Sequence, residues 1–309
     1  MIVCCGEALI DMIPTTDSSG ARSFTPHAGG AIFNTAIALG RLGAQAHFVS
    51  GVSTDLFGKI LLDQLHKSNV ATDLVVRSDR PTTLAFVELT DGHASYVFYD
   101  ENTAGRLLDP QERPSIPDAA NAMYFGGISL ISEPAADFYL ALAVREASRR
   151  VIVVDPNIRV SFIQDEVSYR ARLDTLIAHV DILKVSDEDL DWIVPGPLSL
   201  LEKAGVLRER GPEIVVLTKG SAGACALFGE GEIVDVPAQT VTVADTVGAG
   251  DTFNAGFLAK LAEDGLLDRN RINNLNAADL RRALEYGTKV AAVTVSRPGA
   301  NPPWKSELA

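Results

Sequence analysis

Cysteine is nearly absent from this chain. Its three cysteines in 309 residues are Cys4, Cys5 and Cys225, a spacing that makes neither a disulfide framework nor a metal site. Adjacent Cys4 and Cys5 cannot bridge each other within a strand. All three read as small buried hydrophobes in a reducing compartment. Basic charge is also short, with Lys and Arg numbering 27 against 40 Asp and Glu, a net charge of −13. This argues against nucleic acid or an anionic membrane as partner, since both need a basic footprint. A few backbone N–H groups can still hold an anion inside an acidic protein. No charged-then-apolar leader and no apolar span of membrane length is present, so a cytoplasmic location is expected. No G-x-x-x-x-G-K-[ST] occurs, which excludes a Walker loop. Gly6-Glu7-Ala8-Leu9-Ile10-Asp11, after the first apolar run, lacks the G-x-G-x-x-G of a dinucleotide-binding oxidoreductase. Internal repeats, low-complexity tracts and an interdomain linker are missing too, and residues 1–309 are read as one domain.

What is present is an ordinary globular balance, 47% hydrophobic and 22% charged, in a chain long enough to bury a large core. The stretch richest in chemistry is Asp245-Thr246-Val247-Gly248-Ala249-Gly250-Asp251-Thr252-Phe253-Asn254. Phe253, Phe257, Leu258 and Leu261 recur at helical spacing, so Gly248, Ala249 and Gly250 stand at a helix entrance. There the backbone N–H groups are free, the dipole is positive and missing side chains let an anion approach closely. Asp251 falls in the first turn beside that anion site. It reads either as a dipole-favourable acid or as a base that takes a proton from an attacking hydroxyl.

Along the chain, Met1–Cys5 suits a buried strand, and residues 12–26, rich in Ser, Thr, Gly and Pro, read as an excursion from the main layer. Gly29 and Gly30 open a helix to about Leu42 that Gly43 stops, with Asn34 in its first turns. Thr82–Thr90 and Ala94–Tyr99 alternate around Asp91-Gly92-His93, a hairpin with His93 solvated at its tip. The two irregular segments, 12–26 and 82–100, are expected to form a small sheet beside the main one. Elsewhere strand and helix alternate: Ala122–Phe125 then Pro134–Arg149, Val151–Asp155 then Glu166–Ala178, Ile182–Val185 then Asp187–Ile193. Ile214–Thr218 leads into a hairpin of Ala224–Phe228 and Glu232–Val236. Such alternation predicts an α/β fold, a mostly parallel sheet with helices on both faces and ligands beyond the carboxyl ends of the strands. Asp11, Asn157 and Arg159, Lys184 and Ser186, Thr218 to Gly220 and the Gly248–Gly250 loop all follow strand ends, which points to one shared site.

The Asp245–Asn254 string resembles the C-terminal signature of the ribokinase-like (PfkB) carbohydrate kinases, and Gly29–Gly43 is similar to the N-terminal one. The likeness runs over essentially the whole chain. It implies a three-layer α/β/α kinase in which the small sheet is a lid over a sugar. It implies catalysis by Asp251 with Gly248, Ala249 and Gly250, through the backbone N–H groups of Ala249, Gly250 and Asp251, and acceptor contacts from Asp11, Gly29, Gly30, Asn34 and Arg159. It implies ATP contacts from Lys184, Ser186, Thr218, Lys219, Gly220, Gly223 and Thr288, and Mg²⁺ held through water by Asp189. A monovalent cation such as K⁺ would be held by Asp245, Val247, Thr294, Arg297 and Gly299. Ser186, Asp189 and Thr288 depart from the residues common in the family. Read without the resemblance, Ser186 with Asp189 is a helix cap, Arg159 a surface arginine paired with an acid, and Thr218–Gly223 a turn.

Between Thr82 and Gly105 there is no Lys or Arg, which favours a neutral polyol over a phosphorylated or carboxylated acceptor. The texture looks most like bacterial fructokinases, with ribose, 2-keto-3-deoxygluconate and nucleosides as competing acceptors. A non-catalytic sugar sensor would be expected to have lost the anion loop or the acid, and this chain has both. A homodimer formed through the lid is expected.

Overall fold

A computed structural model describes residues 1–90 and 93–308. Its centre is a nine-stranded sheet in the order Glu232–Val236, Ala224–Phe228, Ile214–Thr218, Ile182–Ser186, Val151–Asp155, Ala122–Gly126, Ile2–Cys5, Ala46–Val49 and Val70–Ala71. All neighbours are parallel except at one edge, where Ala224–Phe228 pairs antiparallel with both strands beside it.

The central strands are buried on both faces, which explains their continuous apolar runs. Ile2 and Cys4 enter one core, packed beneath Ala31–Arg41, Leu56–Lys67, Ala249–Glu263 and Ala277–Val295. Val3 and Cys5 point into the other, beneath Ala135–Glu146, Glu166–Ile177, Asp187–Ile193 and Leu200–Arg208. Val151 and Val153 part from Ile152 and Val154 in the same way. Each such side chain contributes roughly 1.5–3 kcal/mol by leaving water. The result is the three-layer α/β/α arrangement. Cys4, Cys5 and Cys225 are free and buried, and burial raises their thiol pKa values, so they act as small apolar residues.

The irregular segments form a second, four-stranded sheet in the order Arg22–Gly29, Leu9–Thr16, Leu84–Thr90, His93–Tyr99. Its first hairpin extends beyond 12–26 at both ends, starting at Leu9. Asp11 therefore belongs to this sheet, opposite His27, and does not follow a strand of the main sheet. Asp91 and Gly92 lie outside the described residues, as do the side chains of residues 88–90 and 93–96, so the expectation for His93 falls outside them. The helix Leu200–Arg208 behind the Pro195-Gly196-Pro197 loop was not expected. It starts with a capping box of Ser199 and Glu202.

Candidate active site

The helix Ala249–Glu263 begins where the sequence places it, and its cap residue Gly248 is in the left-handed region at φ 77°. Asp251 lies in the first turn and is only 8% exposed. The N–H of Ala249 donates to the Thr246 carbonyl at 3.3 Å. Those of Gly250 and Asp251 find no acceptor among the described residues, which leaves two donors pointing from the positive end of the dipole.

This helix end forms one wall of a cleft of about 300 Å³, beyond the carboxyl ends of the central strands. The small sheet and the start of Ala31–Arg41 also line it, with Asp11, Gly30 and Asn34. Asn34 Nδ2 donates to Asp251 Oδ2 at 2.9 Å, and Thr35 Oγ1 donates to the Asp251 carbonyl oxygen at 3.1 Å. Gly29 packs behind Asp11, where a Cβ would come within 2.2 Å of the carboxylate. Phe98, from the small sheet, meets Phe162 edge-on with ring centroids 4.3 Å apart, and both line the cleft.

The floor is charged. Lys184, expected to follow a strand end, is instead buried in the middle of Ile182–Ser186, and its Nζ donates to Asp155 Oδ2 at 2.9 Å. The same oxygen accepts from Asn254 Nδ2 at 2.7 Å, and Asn254 also donates to the Tyr124 hydroxyl at 2.8 Å. Burial works against the Lys184 charge, but Asp155, Asp189 and Asp251 outweigh it and raise its pKa. Asn157 and Arg159 complete this side. Burial pushes Asp251 up to about 7; the Asn34 hydrogen bond opposes it, Asp155 adds to it, and Lys184 and Arg159 oppose it. Burial likewise lifts Asp11 to about 6. A carboxyl poised near neutrality, next to unfilled N–H donors and a fixed ammonium, suits proton abstraction coupled to transfer of an anionic group.

The structure brings together Asp11, Gly30, Asn34, Arg159, Lys184, Val247, Gly248, Ala249, Gly250 and Asp251. It places the other expected residues elsewhere. Ser186 and Asp189 form a capping box. Asp189 Oδ2 accepts from Ser186 N at 3.0 Å and Oγ at 2.8 Å, and Oδ1 accepts from Ile158 N at 2.7 Å. With both oxygens so occupied and 4% exposure, direct metal ligation does not fit this carboxylate. Thr218, Lys219, Gly220 and Gly223 form a turn at the antiparallel edge, where Lys219 Nζ pairs with Asp235 at 2.6 Å. Thr288 sits in Ala277–Val295, the helix packed on that edge, and donates to the Glu285 carbonyl at 2.9 Å. Asp245 accepts from the N–H groups of Val247 and Gly299 at 3.0 and 2.9 Å, tying its loop to the turn that contains Arg297. The Thr294 carbonyl accepts from Arg297 N at 3.0 Å. Among the described residues no cluster of three or more His, Cys, Asp or Glu side chains is arranged around a metal site.

Sequence reasoning assigned no role to Glu7 and Asp155, which line the cleft, or to Asn254, which donates to Asp155. Asp155 and Asn254 were legible only as the last residue of a strand and as the residue three beyond Asp251.

Comparison with known proteins agrees with this geometry. The pfkB family carbohydrate kinase profile matches residues 1–307. A fructokinase of Rhizobium leguminosarum bv. trifolii is 49% identical over 282 residues, covering 91% of this chain and 86% of that protein. A fructokinase of Xylella fastidiosa solved with bound ATP superposes with a TM-score of 0.89 at 28% identity, over 99% of this chain and 96% of that one. The aminoimidazole riboside kinase of Salmonella enterica, solved with its riboside and an ATP analog, has a TM-score of 0.85 at 24% identity, over 99% and 97% of the two chains. That last likeness speaks to the fold alone.

Proposed function

This chain belongs to the pfkB family of carbohydrate kinases, and from that premise we propose that it transfers the γ-phosphoryl group of ATP to the hydroxymethyl group of fructose, giving fructose 6-phosphate. The observation that carries the reading is Asp251: a buried carboxyl near neutrality, in the first turn of a helix whose Gly250 and Asp251 N–H groups await an acceptor. In this scheme Asp11 and Asn34 orient the sugar beneath Phe98, and ionised Asp251 takes the proton of the attacking hydroxyl. The free N–H groups and Lys184 hold the negative charge that spreads over the transferring phosphoryl. The cleft sets the carboxylates of Asp11 and Asp251 beside the Lys184 and Arg159 cations.

ATP would extend from this helix end toward the edge that carries Thr218–Gly223 and Thr288. Mg²⁺ would arrive with its phosphates, keeping most of its water shell, and would neutralise phosphate charge. Asp245 and the carbonyls around it are the residues that would hold a monovalent cation.

We also assign a homodimer to the outer face of the small sheet. Met12 stands beside Phe86, Phe86 beside Val97, Leu84 beside Tyr99 and Pro14 beside Phe24, all on one face. Val97 and Tyr99 are 50% and 61% exposed there. Light scattering on Val97→Lys with Tyr99→Lys checks it, with a monomer expected where the parent is a dimer.

The acceptor is tested by ADP release from Mg-ATP with fructose, ribose, 2-keto-3-deoxygluconate, adenosine or fructose 6-phosphate. Fructose should give the highest kcat/KM. A higher value for another acceptor would leave a kinase with a different sugar.

A further inference from the structure

Glu7 follows the first strand, and its side chain reaches the cleft beside Asn34 and Asp251. Its Oε1 accepts the N–H of Ala31 at 2.9 Å, and its Oε2 accepts the N–H of Ser129 at 3.3 Å. Ala31 is the first residue of Ala31–Arg41, a helix without a side-chain cap and with no acid in its first turn. Ser129 lies in the short turn Gly127–Leu130, which also has no side-chain cap. One distant carboxylate thus supplies the acceptor and the negative charge that both N-terminal ends require. Gly127 leaves the room for it, since a Cβ there would stand 2.3 Å from Oε1.

What this helix end carries gives the contact its importance. Asn34 and Thr35, one turn further on, make the two hydrogen bonds from this helix to Asp251, one to its carboxylate and one to its carbonyl. We propose that Glu7 is a positioning residue for the phosphoryl transfer: its carboxylate fixes the start of Ala31–Arg41 so that Asn34 and Thr35 set Asp251 at the acceptor hydroxyl. The assignment rests on the kinase reading above.

The charges around Glu7 make it measurable. Asp251 faces it from Ala249–Glu263 and Tyr139 from Ala135–Glu146, Asp11 and Arg159 share its cleft, and Asp100 and Arg106 share a small cavity behind it. Burial first, with the Asp251 charge adding to it, pushes Glu7 up to about 7 against the hydrogen bonds it accepts. That repulsion is reciprocal, so removal of the Glu7 charge eases ionisation of Asp251.

The test compares kcat and KM for sugar and ATP over about pH 5–9 in the parent, Glu7→Gln, Glu7→Ala, Asn34→Ala and the Glu7→Gln/Asn34→Ala double variant. Glu7→Gln should lose about tenfold in kcat and Glu7→Ala about a hundredfold, with KM for ATP within about twofold of the parent. The acid limb of kcat should move to lower pH in Glu7→Gln, which a merely structural cap would not do. The double variant should fall short of the product of the two single losses, because both act on one helix end. Unchanged kcat, an unmoved acid limb or fully multiplicative losses would overturn the assignment. If Glu7→Ala does not fold, Glu7→Gln decides, since it keeps the volume and one acceptor; a Glu7→Gln that also fails to fold makes Glu7 a structural cap and overturns the proposal. A parent without sugar-dependent ADP release overturns the kinase reading, whereas an active parent matched by Glu7→Gln overturns the role of Glu7 alone.

Discussion

Asn34 Nδ2 donates to Asp251 Oδ2 at 2.9 Å across 217 residues of chain. The contact joins the helix that opens the first signature segment to the helix that opens the second. It also opposes the burial that raises Asp251, because an N–H donor stabilises the ionised carboxylate.

Asn34→Ala should therefore raise the pKa of Asp251 further. At neutral pH kcat should fall about tenfold, from a lost charge-assisted hydrogen bond, and part of the loss should return in alkaline buffer. A pH–kcat profile checks this. A uniform loss at every pH would mean that Asn34 holds the sugar and leaves Asp251 unaffected.

Stability should depend on pH through the same groups. Asp251, Glu7 and Asp11 are raised to about 7, 7 and 6 by burial. Between their ordinary range near 4 and those values the folded state binds more protons than the unfolded one, so stability falls as pH rises. The stabilisation is complete in acid and is lost through neutrality. Asp251→Asn should accordingly raise the melting temperature in alkaline buffer and leave it nearly unchanged near pH ~4, where the parent carboxyl is neutral in both states. Equal effects at both ends would contradict the burial argument.

Lys184 and Asp155 form a buried pair at 2.9 Å. Lys184→Met should destabilise the fold by about 3–5 kcal/mol in urea denaturation, because Asp155 is left charged and without its cation. Adding Asp155→Asn should recover much of that stability without restoring turnover, since the ammonium beside the anion loop is still missing. Recovery of activity in the double variant would remove Lys184 from the chemistry.

The Phe98–Phe162 contact joins the small sheet to the main body beside the cleft. An edge-on pair of this kind contributes about 0.5–1.5 kcal/mol. Phe162→Ala should raise KM for the sugar about two- to tenfold and leave KM for ATP alone. A selective rise in KM for ATP would place Phe162 on the nucleotide side.

The α/β alternation, the Val151–Asp155 strand and the Asp187–Ile193 helix were legible because their apolar runs and turn residues are local signals. So was the Gly248–Asp251 helix start, where small residues, an acid and a helical period coincide. Asp11 was found, but on the wrong sheet, because the Ser/Thr/Gly/Pro composition of 12–26 hid a hairpin whose pairing begins at Leu9. Glu7 gave no local signal at all. Its partners, Ala31 and Ser129, are backbone N–H groups 24 and 122 residues away, and only the fold brings them together. Ser186 and Asp189 show the opposite case: their residues alone read as a helix cap, the family resemblance adds ATP contact and Mg²⁺ held through water, and the geometry forms the cap.

The central claim is that Asp251 abstracts the acceptor proton. The most direct measurement is fructose-dependent ADP release by Asp251→Asn beside the parent, with fructose and ATP binding followed by calorimetry. Asn keeps the shape and the contact with Asn34 but cannot take a proton. The account predicts turnover lowered by about two to four orders of magnitude with both ligands still bound. Turnover close to that of the parent would contradict it.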